Sequence, residues 1–88
     1  MDLNTVFTRN SEAAYRIYDG QATVVLPSHA KVHVINEVGS SVWERIDGVK
    51  TLGQILDEIL DEFDIERARA EVELFEFVAA LRAEGMVS

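Results

Sequence analysis

The side chains with the strongest claim to chemistry are two histidines four positions apart, His29 and His33, and a serine pair, Ser40-Ser41. On a helix, two histidines at that spacing lie one turn apart and can share a zinc ion. The residues around His33, "KVHVI", instead alternate as a strand does. At ~3.3 Å per residue the two α-carbons then stand about 13 Å apart, too far for one metal ion. Both read as surface or rim histidines. A serine nucleophile needs a base and a group that orients it, and no His/Asp partner lies near Ser40-Ser41. There is no cysteine and no glycine-rich phosphate loop. Carboxylates are plentiful, but Asp57, Glu58, Asp61 and Glu62 share the polar face of one helix, where nothing desolvates them for acid–base work. The expectation is a non-enzyme with no catalytic residue, no metal and no cofactor.

The chain has 88 residues, 16 acidic and 8 basic, for a net charge of −8. Such a surface repels phosphate backbones and anionic lipids, which argues against nucleic acid and membrane as partners. No run approaches the ~20 apolar residues that span a bilayer. "MDLNTVFTRN" lacks the basic start and apolar core of a signal peptide. With no cysteine to oxidise, a cytoplasmic location is expected. Composition is 48% hydrophobic and 27% charged, that of a globular chain. The reading is one domain over residues 11–88, behind a flexible or extended arm over residues 1–10.

The elements that must position any site follow from the pattern. Asp19-Gly20 between two β-rich runs is a type I′ hairpin signal. It predicts strands at about Ala14–Tyr18 and Gln21–Leu26, ended by Pro27-Ser28. A third strand, Lys31–Ile35, alternates Lys31, His33 and Ile35 on one face with Val32 and Val34 on the other. Helix one starts after Asn36, a good N-cap, and is expected to stop at Gly48 in a left-handed C′ position. That would let Trp43 clamp Val49. Gly39 in its first turn suggests a close approach by another element. Thr51 and Gln54 have capping-box spacing for helix two, whose apolar positions run Leu52, Ile55, Leu56, Ile59, Leu60 and Phe63. Helix three is expected from about Ile65 or Glu66 to Glu84, with Asp64 as N-cap, Gly85 as C′ and Met86 reaching back to Leu81. Its apolar residues form two adjoining stripes, one of Ala68, Val72, Phe75 and Ala79, the other of Ala70, Leu74, Phe77 and Leu81, with Val78 between. Together they cover about 200°, twice what one-sided packing needs. The order β-β-β-α-α-α is an α+β domain with a small antiparallel sheet.

"HVINEVGSSVWERIDGVKTLGQILDEILDEFD" and "EVELFEFVAALRAEGMV" together resemble the PqqD-like family. The shared layout here is Asn36, Gly39, Trp43, Asp47-Gly48, Thr51, Phe63-Asp64 and Gly85-Met86-Val87. The upstream "FTRNSEAAYRIYDGQATVVLPSHAKV" fits the family's hairpin, so the resemblance covers residues 7–87. It implies a winged helix-turn-helix-like module, a RiPP recognition element that binds the leader of a ribosomally made precursor peptide. Such modules present the leader to a modifying enzyme, often a radical SAM enzyme, as in pyrroloquinoline quinone synthesis. The leader would add as a strand beside strand three, against helix three. Mapped onto this sequence, the implied peptide-binding residues are Lys31, Val32, His33, Val34, Ile35, Leu74, Phe77, Val78 and Leu81.

Two physical features point the same way. A three-stranded sheet has two open edges, and strand three carries little besides Lys31 to guard its own. The wide apolar arc of helix three also needs something to cover it, and one or two of Leu74, Phe77 and Leu81 are expected to be partly exposed. The competing reading on the same scaffold is a small adaptor or transcription regulator. Against DNA stand six carboxylates around the turn into helix three, offset only by Arg67 and Arg69.

Overall fold

A computed structural model describes residues 1–29 and 31–88; the side chains of His29 and Lys31 lie outside that description, as does Ala30. Strands β1 (Ala14–Tyr18), β2 (Gln21–Leu26) and β3 (Lys31–Ile35) precede helices α1 (Glu37–Arg45), α2 (Leu52–Glu62) and α3 (Arg67–Ala83). The sheet is antiparallel in the order β1-β2-β3, so β3 is an edge. The fold is the expected α+β arrangement, winged-helix-like, with its strands at the expected positions. Asp19 and Gly20 both take positive φ, 52° and 78°, as a type I′ turn requires.

Alternation along the strands decides what faces the helices. Ala22, Val24, Leu26 and Ile35 are buried on the inner face. Val32 and Val34 stand on the outer face, 64% and 69% exposed. Trp43, Val42 and Ile46 meet the inner face from the α1 side, and Leu52, Ile55, Leu56 and Ile59 of α2 complete the core.

The helix ends follow the capping chemistry in three places and depart from it in two. Asn36 Oδ1 accepts the Gly39 N–H at 2.8 Å, and Thr51 with Gln54 forms the full capping box. At the end of α3, Gly85 takes φ 74°; its N–H donates to Arg82 O and that of Met86 to Leu81 O, the two bonds of a Schellman motif. α1, however, stops at Arg45 rather than running to Gly48. Gly48 keeps a left-handed φ of 80°, but its N–H donates to Phe7 O of the N-terminal segment. Asp47 Oδ1 takes the N–H groups of Val49 and Lys50 and turns Val49 outward, 77% exposed. Trp43 therefore does not clamp Val49. Its ring meets Tyr15 edge-on, with centroids 5.7 Å apart, and the Arg9 guanidinium lies 5.8 Å from its centre.

Asp64 is not the N-cap of α3. Phe63 leaves α2 in extended conformation, and the reversal that follows uses residues 64–66, so Glu66 takes the cap position without a side-chain cap bond. The buried arc of α3 is also narrower than its sequence suggests. Ala70, Leu74, Val78 and Leu81 form one buried stripe, Phe75 and Phe77 flank it half-buried, and Val72 is 55% exposed. Of Leu74, Phe77 and Leu81, one or two of which are expected to be partly exposed, Phe77 is that one; Leu74 and Leu81 are buried.

Candidate functional site

Ser40 reveals which backbone groups of the edge strand face β2. The Ala22 N–H donates to Ser40 Oγ at 2.7 Å, and Ser40 Oγ–H donates to Ile35 O at 3.0 Å. The hydroxyl thus sits between backbone groups of two paired residues that face one another. Direction alternates along an antiparallel strand, so Ile35 and His33 face β2 while Val32 and Val34 turn their N–H and C=O groups to the open edge.

That edge borders a cleft. α3 leans on α2 rather than on the sheet, and between α3 and β3 lies a cavity of about 300 Å³. His33, Val34 and Ile35 line it from β3, Phe77, Leu81 and Glu84 from α3 and its cap, with Met86 alongside. His33 Nε2 lies 3.9 Å from Glu84 Oε2 at its mouth. Between α1, α2 and the first half of α3 is a second cavity of about 420 Å³, lined by Val38, Leu56, Ile59, Ile65 and Leu74 among others. Phe77 and Asn36 border both cavities. Gly39 explains why Phe77 can lie so close. A Cβ there would stand 2.6 Å from Ile35 Cγ2 and 3.3 Å from a Phe77 ring carbon.

The nine residues singled out from sequence therefore separate by role. His33, Val34, Ile35, Phe77 and Leu81 line the cleft; Leu74 lines the second cavity. Val32 offers its backbone to the edge and its side chain to the outer face. Val78 is fully buried and lines neither cavity, so it supports the wall from behind. The backbone of Lys31 opens β3, but its side chain lies outside the described part. Sequence reasoning missed Ala80 and Glu84, which complete the α3 wall. Their spacing from Phe77, three and seven positions on, was the available signal.

Much of the acidic run is engaged in holding helices together. Arg45 bonds both Glu58 and Glu62 (3.1 and 2.8 Å), and Lys50 also reaches Glu58. The Lys50 hydrogen bond is the main cause holding the Glu58 carboxyl below its ordinary pKa, with Arg45 adding to it. Asp47 is lowered chiefly by the backbone N–H of Lys50 and then that of Val49. The two arginines near the start of α3 are engaged as well, Arg67 with Asp57 and Arg69 with Glu73, each at 3.0 Å. Among the described residues no three His, Cys, Asp or Glu gather to hold a metal ion. Among the described residues no helix is long and apolar enough to cross a membrane.

The family model for Coenzyme PQQ synthesis protein D (PqqD) matches residues 22–87. The chain belongs to the PqqD family. Relatives of this PqqD-family chain include proteins described as "PqqA binding protein" from Xanthomonas oryzae pv. oryzae, strains PXO99A and MAFF 311018. They are 34% identical over 58 residues, 66% of this chain. The chain spans 63% of the length of these curated relatives. Two solved structures share the PqqD-family fold seen here. "TbiB1 in Complex with the TbiA(beta) Leader Peptide" superposes with a TM-score of 0.83 at 20% identity, covering 92% of this chain and 94% of that one. "Lasso peptide synthetase B1 complexed with the leader peptide" gives 0.82 at 17% identity, covering 96% and 99%.

Proposed function

We propose that this chain is a non-catalytic binding protein for the leader of a ribosomally synthesised precursor peptide. The leader adds as a fourth strand along β3, with alternate side chains entering the cleft against α3. The observation that carries this reading is the open edge itself. Val32 and Val34 turn their backbone N–H and C=O groups to the open edge beside an apolar cleft of about 300 Å³. Membership of the PqqD family supports a precursor of the PqqA kind. On the same basis we assign the partner enzyme to the radical SAM class and the location to the cytoplasm. The engaged arginines of α3 and the net charge of −8 weigh against a DNA-binding regulator on this scaffold.

Val34→Pro tests the edge. Its N–H does not serve β2, and proline is tolerated on an edge strand whose N–H faces solvent. The variant should keep its helical circular dichroism and melt within a few degrees of the parent. Affinity for a synthetic leader of the PqqA kind should fall at least about tenfold. Unchanged affinity in a folded Val34→Pro chain would rule out strand addition at β3. Should Val34→Pro unfold, Val32→Pro makes the same test one pleat away.

A further inference from the structure

The second cavity, between α1, α2 and the first half of α3, is larger than the β3–α3 cleft and shares two walls with it. Phe77 and Asn36 stand between the two, so the cavities form one interrupted trough along α3. The floor of the second is apolar, from Val38, Leu56, Ile59 and Leu74. Its rim is acidic. Glu73 and Glu76 border it, and Glu84 borders the cleft about two to three turns further on. Glu76 has no ion-pair partner among the described residues, and Glu73 shares its charge only with exposed Arg69.

We propose that this trough selects a cationic peptide with two apolar anchors, one in the β3–α3 cleft and the second beyond Phe77, with Lys or Arg beside the second anchor meeting Glu73 and Glu76. This rests on the peptide-binding reading above and adds a second subsite and a charge preference to it. Leu74 and Leu81, one in each cavity, are seven residues apart on α3, or ~10 Å at 1.5 Å per residue. An extended peptide covers that in about three residues, which sets the spacing of the anchors. An acidic rim around an apolar floor favours a ligand of opposite charge, and the preference weakens as salt screens it.

The test is selection of a random 12-residue peptide library on the full chain at low salt. Synthetic copies of the selected sequences are then titrated into the parent and into the double variant E73Q/E76Q, with amide shifts recorded. The proposal expects selected peptides with two apolar residues about three apart and an excess of Lys or Arg. It expects shifts at Val38, Ile59 and Ile65 as well as along β3. Affinity should drop about threefold to tenfold in E73Q/E76Q, since each exposed charge pair contributes modestly. Binding confined to β3 and the cleft, without basic residues in the selected set, would overturn the second subsite and leave the peptide-binding reading standing. Failure to select any peptide would overturn both. A peptide-free chain that sediments as a dimer with Val38 and Ile65 buried would overturn it in favour of a second copy as the occupant.

Discussion

The Ser40 hydroxyl bridges a backbone donor of β2 and a backbone acceptor of β3 at the point where β3 turns into α1. It is 2% exposed, so its removal strands an N–H and a C=O away from water. Ser40→Ala should therefore cost about 1–3 kcal/mol in urea unfolding, a large share of a small protein's stability. A loss below a few tenths of a kcal/mol would mean that water replaces the hydroxyl. The sequence does not announce this role. Ser40 and its neighbour look like a nucleophile without partners, and only the register of β2 against β3 brings the Ala22 N–H to it. Gly39, by contrast, is legible, because a glycine in the first turn of a helix disfavours the helix unless something needs the space. What needs it, Ile35 and Phe77, is visible only in three dimensions.

At the scale of elements, local chemistry was readable and reversals were not. All three strands, the hairpin turn, the capping box and the Schellman end of α3 depend on neighbours within a few residues, so the pattern that specifies them is contiguous. The end of α1 depends on a distant partner and the start of α3 on an extended turn that no cap residue announces. Phe7 takes the Gly48 N–H, and the extended turn after Phe63 carries the chain past Asp64. The α1–α2 corner has a consequence in acid. The carboxyls of Asp47 and Glu58 are both held below their ordinary values in the folded state. Their contribution is complete above the unfolded carboxylate range and is lost as pH falls through the lowered folded values. The parent should therefore hold its melting temperature from pH 7 to about 5 and lose it below about pH 4. The double variant Asp47→Ala/Glu58→Gln should melt lower at pH 7 and show a shallower acid decline. An equal decline in both would place the acid sensitivity elsewhere.

At the scale of the whole molecule, the chain's two ends meet behind the cleft. Val6 pairs with Thr51 and Arg9 with Val87 as isolated bridges, and Thr8 exchanges hydrogen bonds with Ser88 in both directions. The Asn10 N–H donates to Met86 O, and Met86 borders the cleft. The first ten residues thus steady a wall of the candidate site. Single bridges carry no periodicity, which is why "MDLNTVFTRN" does not reveal them in sequence. The cleft itself was half legible. Its β3 side follows from the strand pattern, but the α3 side required knowing which stripe the core consumes. Leu81 is buried at its floor and Leu74 at that of the second cavity, while Phe77 is the one of the three that reaches solvent. The central claim is that a leader peptide completes the sheet along β3. Amide hydrogen exchange at Val32 and Val34, with and without saturating synthetic leader, tests it most directly. Strand addition predicts that both amides exchange freely in the isolated chain and slow at least about tenfold in the complex. Free exchange at both positions while titration reports a bound peptide would contradict it.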